Sequence, residues 1–364
     1  MFVITTRSFP PEVGGMQTLL GDLAHNLTRH GKVQVFADSA DGDSDFDNQQ
    51  FYRIERIKGF KFLQKYRKKN QVEIFCSGQK DVRALIADHW KSIEKVSENL
   101  CKKIPTLCLI HGKDINQPLR SLRHTRMLNS LKKTKYIIAN SQFTKNLAIE
   151  KGIPSNKIKV INPGITAPLK TDSDAKAQAL ELFGNTSPKL ISVTRLERRK
   201  GLHSVILSLK NLQAIHPNFL YLIVGEGEQE EDLRSITSHM DLETNVIFLG
   251  DVREELKNAL LEAADIFLMP SIEDKASVEG FGISFLEASC FKTPSIGGLV
   301  GGAADIIKNN QTGLLCDGTD HDAIYNCLQQ MLKNDKHIEM GQAAKEYSKQ
   351  FYWDNQIKKY LQLI

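Results

Sequence analysis

The segment Glu279-Gly-Phe-Gly-Ile-Ser-Phe-Leu-Glu287 combines two carboxylates with glycines at Gly280 and Gly282. Those glycines predict a sharp turn into a helix, leaving Glu279 in the loop and Glu287 about two turns along. One carboxylate then faces reacting groups, while the other can accept hydrogen bonds from a vicinal diol such as ribose. A helix-start carboxylate plus an ordinary surface glutamate is the competing reading, and the glycine context weighs against it. Upstream, the run Arg195-Leu-Glu-Arg-Arg-Lys200-Gly201 follows an apolar stretch. Arg195 as a planar fork and Lys200 as a point charge suit a pyrophosphate, whereas Arg198 and Arg199 read as solvent-facing.

Glycine recurs wherever a ligand could approach backbone. Gly297, Gly298, Gly301 and Gly302 follow a short strand-like run, so their amides could close on a ligand. Gly14 and Gly15 precede the helix-like stretch at Met16, where amides meet the positive end of a helix. A plain tight turn explains them equally well, and the loop is neither GxGxxG nor a P-loop. His111-Gly-Lys-Asp114 closes the apolar run Thr106–Ile110, placing an imidazole at a strand's carboxyl end, with a satisfied core histidine as the alternative. Acidic residues between Asp38 and Asp47 superficially suggest a metal site but read better as a solvated loop.

The elements that must hold these groups alternate between apolar runs and helical periodicity, the pattern of βαβ units and parallel sheets. In the first half, Phe2–Thr5, Val33–Ala37, Glu73–Cys76, Thr106–Ile110, Tyr136–Ala139 and Lys159–Ile161 are expected strands. The second half restarts with strands expected at Lys189–Thr194, Phe219–Val224, Asn245–Leu249, Ile266–Pro270, Thr293–Ile296 and Gly313–Leu315. Helices at Met16–His30, Leu202–Ile215, Gln229–Met240, Glu254–Glu262 and Gly282–Cys290 intervene. Pro163, Gly164, Pro168 and Thr171–Asp174 form the expected linker. The fold class is therefore α/β, with two doubly wound parallel-sheet domains. Residues 1–165 and 166–345 form the domains, and an amphipathic segment at 346–364 returns to the first. In such sheets ligands bind beyond the carboxyl ends of the strands, where strand order reverses.

Length and composition agree: 364 residues suit two cores, and 41% hydrophobic with 25% charged residues describes a globular chain. A net charge of +5 with no basic stripe argues against nucleic acid. Six cysteines without metal-ligand spacing read as reduced core residues. The first residues enter a strand with no leader pattern, and charges interrupt every apolar run, so a cytoplasmic protein is expected. It could associate with the inner face of the membrane.

Taken together, these segments resemble the retaining glycosyltransferase family with two Rossmann-like domains facing a cleft, the GT-B fold. The resemblance spans nearly the whole chain and is strongest from Leu268 to Leu315. There MPSIEDKASVEGFGISFLEAS, GGLVGGAADII and TGLL follow the family's order, with VTRLERRKG, VGEGEQEEDL, ANSQFT, VINPG and HGKD as further matches. The resemblance implies that a UDP- or GDP-sugar donor sits on the second domain and that no metal or other cofactor is required. It implies that Arg195 and Lys200 neutralise the departing diphosphate, that Glu287 holds the ribose and that Glu279 contacts the donor sugar. Amides around Phe281, Gly282, Gly301 and Gly302 would hold sugar hydroxyls or phosphate, with Gly15 near the diphosphate and His111 over the sugar ring. The first domain would take a lipid or glycan acceptor of the cell envelope.

A basic run with interleaved aromatics, from Lys58 through Phe60, Lys61, Phe62, Lys65, Tyr66, Arg67 and Lys68 to Lys69, could contact anionic headgroups or be a solvated helix face. Two other functions compete with transfer. A nucleotide-sugar epimerase or hydrolase would need further acid/base groups, and a non-catalytic sugar-nucleotide-binding subunit would not need the complete Arg195, Lys200, Glu279 and Glu287 set.

Overall fold

The computed structural model describes residues 1–168, 171–275 and 277–364, without the side chain of Lys61. Leu169, Lys170, Ala276 and that side chain lie outside the described residues. The chain divides into two compact units, residues 1–164 with 351–364, and residues 165–350.

Seven parallel strands build the first unit: β1 (Phe2–Thr5), β2 (Val33–Asp38), β3 (Arg53–Ile57), β4 (Ala84–Ala87), β5 (Thr106–Ile110), β6 (Tyr136–Ala139) and β7 (Ile158–Val160). Their order is β3-β2-β1-β4-β5-β6-β7. The chain moves outward from β1 in one direction and then returns to lay β4 on its other side, so strand order reverses between β1 and β4. Successive side chains of a strand point to opposite faces, and both faces here are packed. Phe2 and Ile4 enter one core with Val35 and the helix Gly15–Thr28. Val3 enters the other with Phe36, Leu85 and Trp90.

The C-terminal helix Trp353–Leu361 belongs to this unit. Trp353, Ile357 and Tyr360 are buried against the first core. The Trp353 indole N–H donates to Asp22 Oδ2 at 3.2 Å. Gly164 leaves room for that indole, since a Cβ there would sit 2.3 Å from its ring. Each such buried side chain stabilises by about 1.5–3 kcal/mol, enough to hold a nine-residue helix that would not persist alone.

Six parallel strands build the second unit: β8 (Lys189–Val193), β9 (Leu220–Val224), β10 (Val246–Gly250), β11 (Ile266–Met269), β12 (Ser295–Gly298) and β13 (Gly313–Cys316). Their order is β10-β9-β8-β11-β12-β13, with the reversal between β8 and β11. Leu190, Val205, Leu209, Tyr221, Ile266 and Ile296 share one core.

Several expectations are corrected. Glu73–Cys76 is the end of the helix Lys61–Gly78, not a strand; Val72 and Cys76, four apart, turn one face inward. Strands β3 and β4 went unforeseen. Strand β12 begins at Ser295 rather than Thr293. Thr171–Asp174 is not all linker, because Asp172 accepts from the Asp174 and Ala175 N–H groups and caps the helix Ser173–Phe183. The acidic stretch is not merely solvated: it contains the short helix Asp43–Asn48. Asp47 there pairs with buried Arg56 at 2.7 Å, and Asp38 with Lys68 at 2.6 Å.

Candidate active site

In the second unit the site builds from the switch point outward. Strand β8 ends at Val193 and delivers the loop carrying Arg195, followed by a 3-10 turn over Arg198–Lys200. Gly201 then takes a positive φ of 74°, and a Cβ there would meet the Pro270 carbonyl oxygen at 2.1 Å. Only glycine lets the turn pack this tightly on the end of β11. Lys200 is thereby buried, its Nζ 3.7 Å from Met269 Sδ and hydrogen-bonded to Glu279 Oε2.

Glu279 lies in the loop between β11 and the helix Ile283–Cys290. Its Oε2 also accepts from Arg199 Nη1 at 2.8 Å, and Arg199 Nε reaches Glu197 at 2.7 Å. Burial alone would push the Glu279 carboxyl up, but Lys200 and Arg199 outweigh it and hold the group at about 2. Glu279 therefore stays ionised across the working range and cannot serve as a proton donor. The glycine loop after β12 fixes its backbone. Gly301, at φ 99°, presses on the Glu279 carbonyl, and the Gly302 N–H donates to that oxygen at 2.9 Å.

Glu287 sits apart from this triad. Its Oε1 accepts from Lys257 Nζ at 2.7 Å, and Lys257 also meets Glu254 at 2.9 Å. The two carboxylates thus have different partners. Among the described residues, no group of three His, Cys, Asp or Glu side chains is placed to hold a metal ion. The cations around the β8–β11 switch point are the groups that can meet a diphosphate.

Two family models divide the chain between them. Residues 13–167 match "Glycosyltransferase Family 4", and residues 174–351 match "Glycosyl transferases group 1". The chain is a glycosyltransferase, with a family 4 domain in its first part and a group 1 domain in its second. It is 27% identical to a GDP-mannose-dependent alpha-(1-6)-phosphatidylinositol monomannoside mannosyltransferase of Mycobacterium tuberculosis, over 97% of this chain and 94% of that protein. A GDP-mannose-dependent monoacylated alpha-(1-6)-phosphatidylinositol monomannoside mannosyltransferase of Corynebacterium glutamicum is 35% identical, over 49% of this chain and 47% of its own. Among solved structures, the Anabaena protein HepE in complex with UDP superposes with a TM-score of 0.83 at 19% identity, covering 99% of this chain and 98% of that one. A sucrose-phosphate synthase from Thermosynechococcus elongatus gives 0.81 at 20%, covering 100% and 97%. These likenesses place the transferase in the GT-B fold.

The geometry revises three expectations about this transferase. Arg199, expected in solvent, is the buried partner of Glu279, while Arg195 projects outward with its side chain 71% exposed and touches Glu197 at 3.2 Å. The Gly302 amide, expected to face a ligand, is taken by the Glu279 carbonyl. Phe281 is buried, and Gly282 at φ 88° starts the helix, so this pair shapes the turn.

His111 sits in the first unit at the end of β5, where its backbone N–H donates to Asp114 Oδ1 at 2.7 Å. Its Nε2–H donates to the Asp88 carbonyl at 3.2 Å. This bonding assigns the Nε2–H tautomer. Burial drives its pKa down to about 4, opposed by the Asp88 bond, so the ring is neutral. His111 presents an uncharged ring edge, not a free base. Gly15 opens the helix Gly15–Thr28.

Sequence reasoning missed the groups at the first sheet's own switch point. Asp88 and His89 follow β4, and Arg7 follows β1. Asp88 is buried and its pKa raised by that burial, while it accepts from Ser92 Oγ at 2.5 Å and from the Arg7 N–H at 3.3 Å. Recognising Ala84–Ala87 as a strand would have pointed to them.

Proposed function

We propose that this transferase moves a hexose from a GDP- or UDP-sugar to a hydroxyl of a phosphoinositide-type glycolipid or related envelope glycan, with retention at the anomeric carbon. The buried Lys200–Glu279–Arg199 triad at the β8–β11 switch point carries the reading. In the step, the bond from C1 to the diphosphate oxygen breaks and its electrons leave with the nucleotide. The acceptor oxygen bonds to C1 on the same face, and its proton passes to the departing phosphate. Lys200 and the outward Arg195 meet the charge that develops on that phosphate. Glu279 holds Lys200 in place and accepts from the sugar hydroxyls. Glu287, oriented by Lys257, accepts from the ribose diol.

GDP-mannose is the donor favoured by the names of the relatives, and the first unit takes the acceptor. The relatives' acceptors are membrane glycolipids by name, and the helix Lys61–Gly78 offers a surface for such a membrane. Phe60 and Phe62 are 82% and 71% exposed, with Lys65 stacked on the Phe62 ring at 5.4 Å. Lys68 does not join that surface, since its Nζ is buried on Asp38 and the Thr6 carbonyl. Among the described residues no helix is long and apolar enough to cross a membrane.

The test is a thermal-shift panel of GDP, UDP and ADP with their sugars, followed by NMR of the product's anomeric configuration. A nucleotide that binds only the native state at about 100 times its Kd stabilises it by about 2.7 kcal/mol. Absence of any shift, or an inverted anomer, would overturn the reading.

A further inference from the structure

The amino ends of the first sheet's strands, opposite the edge where such a sheet binds its ligands, hold two adjoining cavities that the transfer chemistry does not use. The larger, about 480 Å³, opens beside Pro105, which precedes β5, and Thr134, which precedes β6. Its wall carries Lys102, Lys103, Lys132, Lys133, Lys135 and Lys157 against one carboxylate, Glu98. The smaller, about 240 Å³, is lined by Leu128, Leu131, Ile137, Ile153 and Pro154. Lys132 and Lys157 belong to both walls. Leu131, Ile137 and Ile153 are buried members of a core cluster, so the smaller cavity reaches into apolar packing.

Lysines near helix ends commonly do no more than meet the last carbonyls, and three of these six are engaged within the fold. Lys133 Nζ donates to the Glu94 and Val96 carbonyls at 2.7 and 3.1 Å. Lys157 Nζ donates to those of Lys132 and Thr134 at 2.7 and 3.0 Å. Lys102 pairs with Glu98 at 2.8 Å, which also occupies the cavity's carboxylate. Lys103, Lys132 and Lys135 are exposed and, among the described residues, make no ion pair; Lys135 lies over the Tyr136 ring at 5.4 Å.

Three ammonium groups around one opening repel one another, and a ligand with two or more phosphates relieves that repulsion. The apolar cavity calls for a different chemistry. An engineered cavity of roughly 150 Å³ lined by side chains of this kind stays dry and takes up benzene, so a larger one has room for the end of a hydrocarbon chain. Its walls are core side chains, not an exposed apolar patch, which suits one chain and not the face of a bilayer.

We propose that the two cavities together bind a single-chain amphiphile, with an acyl chain in the apolar cavity and a polyphosphate head, as on an acyl coenzyme A thioester, among Lys103, Lys132 and Lys135. It is an effector site and not a substrate subsite: the length of β5, roughly 16 Å of strand, separates it from His111.

The test titrates the full chain by calorimetry with decanoyl-coenzyme A, coenzyme A and decanoate, each with saturating GDP and UDP present to block the donor site. Lys103→Gln and Lys132→Gln change exposed side chains, and Leu128→Trp fills the apolar cavity. Melting curves confirm that each variant folds, and Leu128→Phe replaces the tryptophan variant if it does not. Decanoyl-coenzyme A is expected to bind about 100-fold tighter than coenzyme A, the worth of burying about 3–4 methylenes. Each glutamine variant should weaken it by about tenfold, the loss of one charge-assisted bond. The cavity-filling variant should erase the advantage of the thioester over coenzyme A. Equal binding of coenzyme A and its thioester, or indifference to all these substitutions, would overturn the site. Displacement of the probe by GDP or UDP would overturn it too, by moving the probe to the donor site. So would lysine-dependent binding to phosphatidylglycerol vesicles with none to decanoyl-coenzyme A, which would make this face a membrane contact.

Discussion

Replacing Lys200 with methionine keeps the stem of the side chain and deletes its charge, which separates what Lys200 does for the fold from what it does for the leaving group. Glu279 loses the larger of the two cations that hold its carboxyl at about 2, and keeps Arg199 at 2.8 Å. Breaking a buried pair by removing one partner costs about 3–5 kcal/mol when the other is left uncompensated. With Arg199 still in place, a loss near the bottom of that range, about 3 kcal/mol, is expected in denaturant unfolding. The Glu279 carboxyl should also rise from about 2 toward its ordinary 4.5. Loss of one preorganised donor to a developing anion typically lowers kcat about 10²–10³-fold, and the same is expected of Lys200→Met in steady-state transfer assays. The double variant Lys200→Met with Glu279→Gln decides between the two roles. Removing both charges should recover part of the stability, because the singles share one interaction. Turnover should stay low if Lys200 meets the phosphate. Turnover within about threefold of the parent in either variant, beyond the scatter such comparisons carry, would refute the phosphate contact and leave Lys200 as a structural counter-ion to Glu279.

Arg199→Lys keeps the charge but loses the fork that joins Glu197 to Glu279. It should cost more in kcat than Arg195→Lys, which alters an exposed side chain and should chiefly raise the donor KM, as paired kinetics will show. Glu287→Gln should weaken donor binding by about tenfold in calorimetry, the worth of one hydrogen bond to a charged group, with kcat little changed. In the first unit, burial lowers His111 from 6.5 to about 4. The unfolded chain therefore binds this proton at a higher pH than the folded one. The stability at stake is full above pH 6.5 and is lost as pH falls from 6.5 to 4, by up to about 3 kcal/mol. Urea unfolding at pH 4.5 and 7.5 should show a smaller difference for His111→Asn than for the parent. Glu279 works in a lower window: its lowered pKa stabilises above pH 4.5 and loses that contribution toward pH 2.

How much of this was legible in the residues depends on how each element is buried. Central strands such as Thr106–Ile110 and Leu220–Val224 are covered on both faces, so they read as unbroken apolar runs. Strand β3, Arg-Ile-Glu-Arg-Ile, lies at the sheet's edge, where only Ile57 is fully buried and the strand's charges hide the run. Strand β4 is four residues with alanine at both ends, too short to stand out, and it carries Asp88 and His89 to the switch point. Glu279 and Lys200 could be singled out from the glycines around them, because those glycines permit the close approach that buries both. The choice between Arg195 and Arg199 could not be read from a charge run. It depends on a 3-10 turn that brings Arg199 round beside Lys200, stopped by Gly201 against the Pro270 carbonyl.

The two units solve one problem twice, with opposite electrostatics. At the β8–β11 reversal, two cations share a carboxylate that stays ionised, so the site carries charge without leaving it unpaired. At the β1–β4 reversal, the acid that could play the same part, Asp88, is turned inward onto a serine and a backbone amide, and the neighbouring cations are left to one another. A paired cation can be lent to a leaving group during a reaction and then taken back.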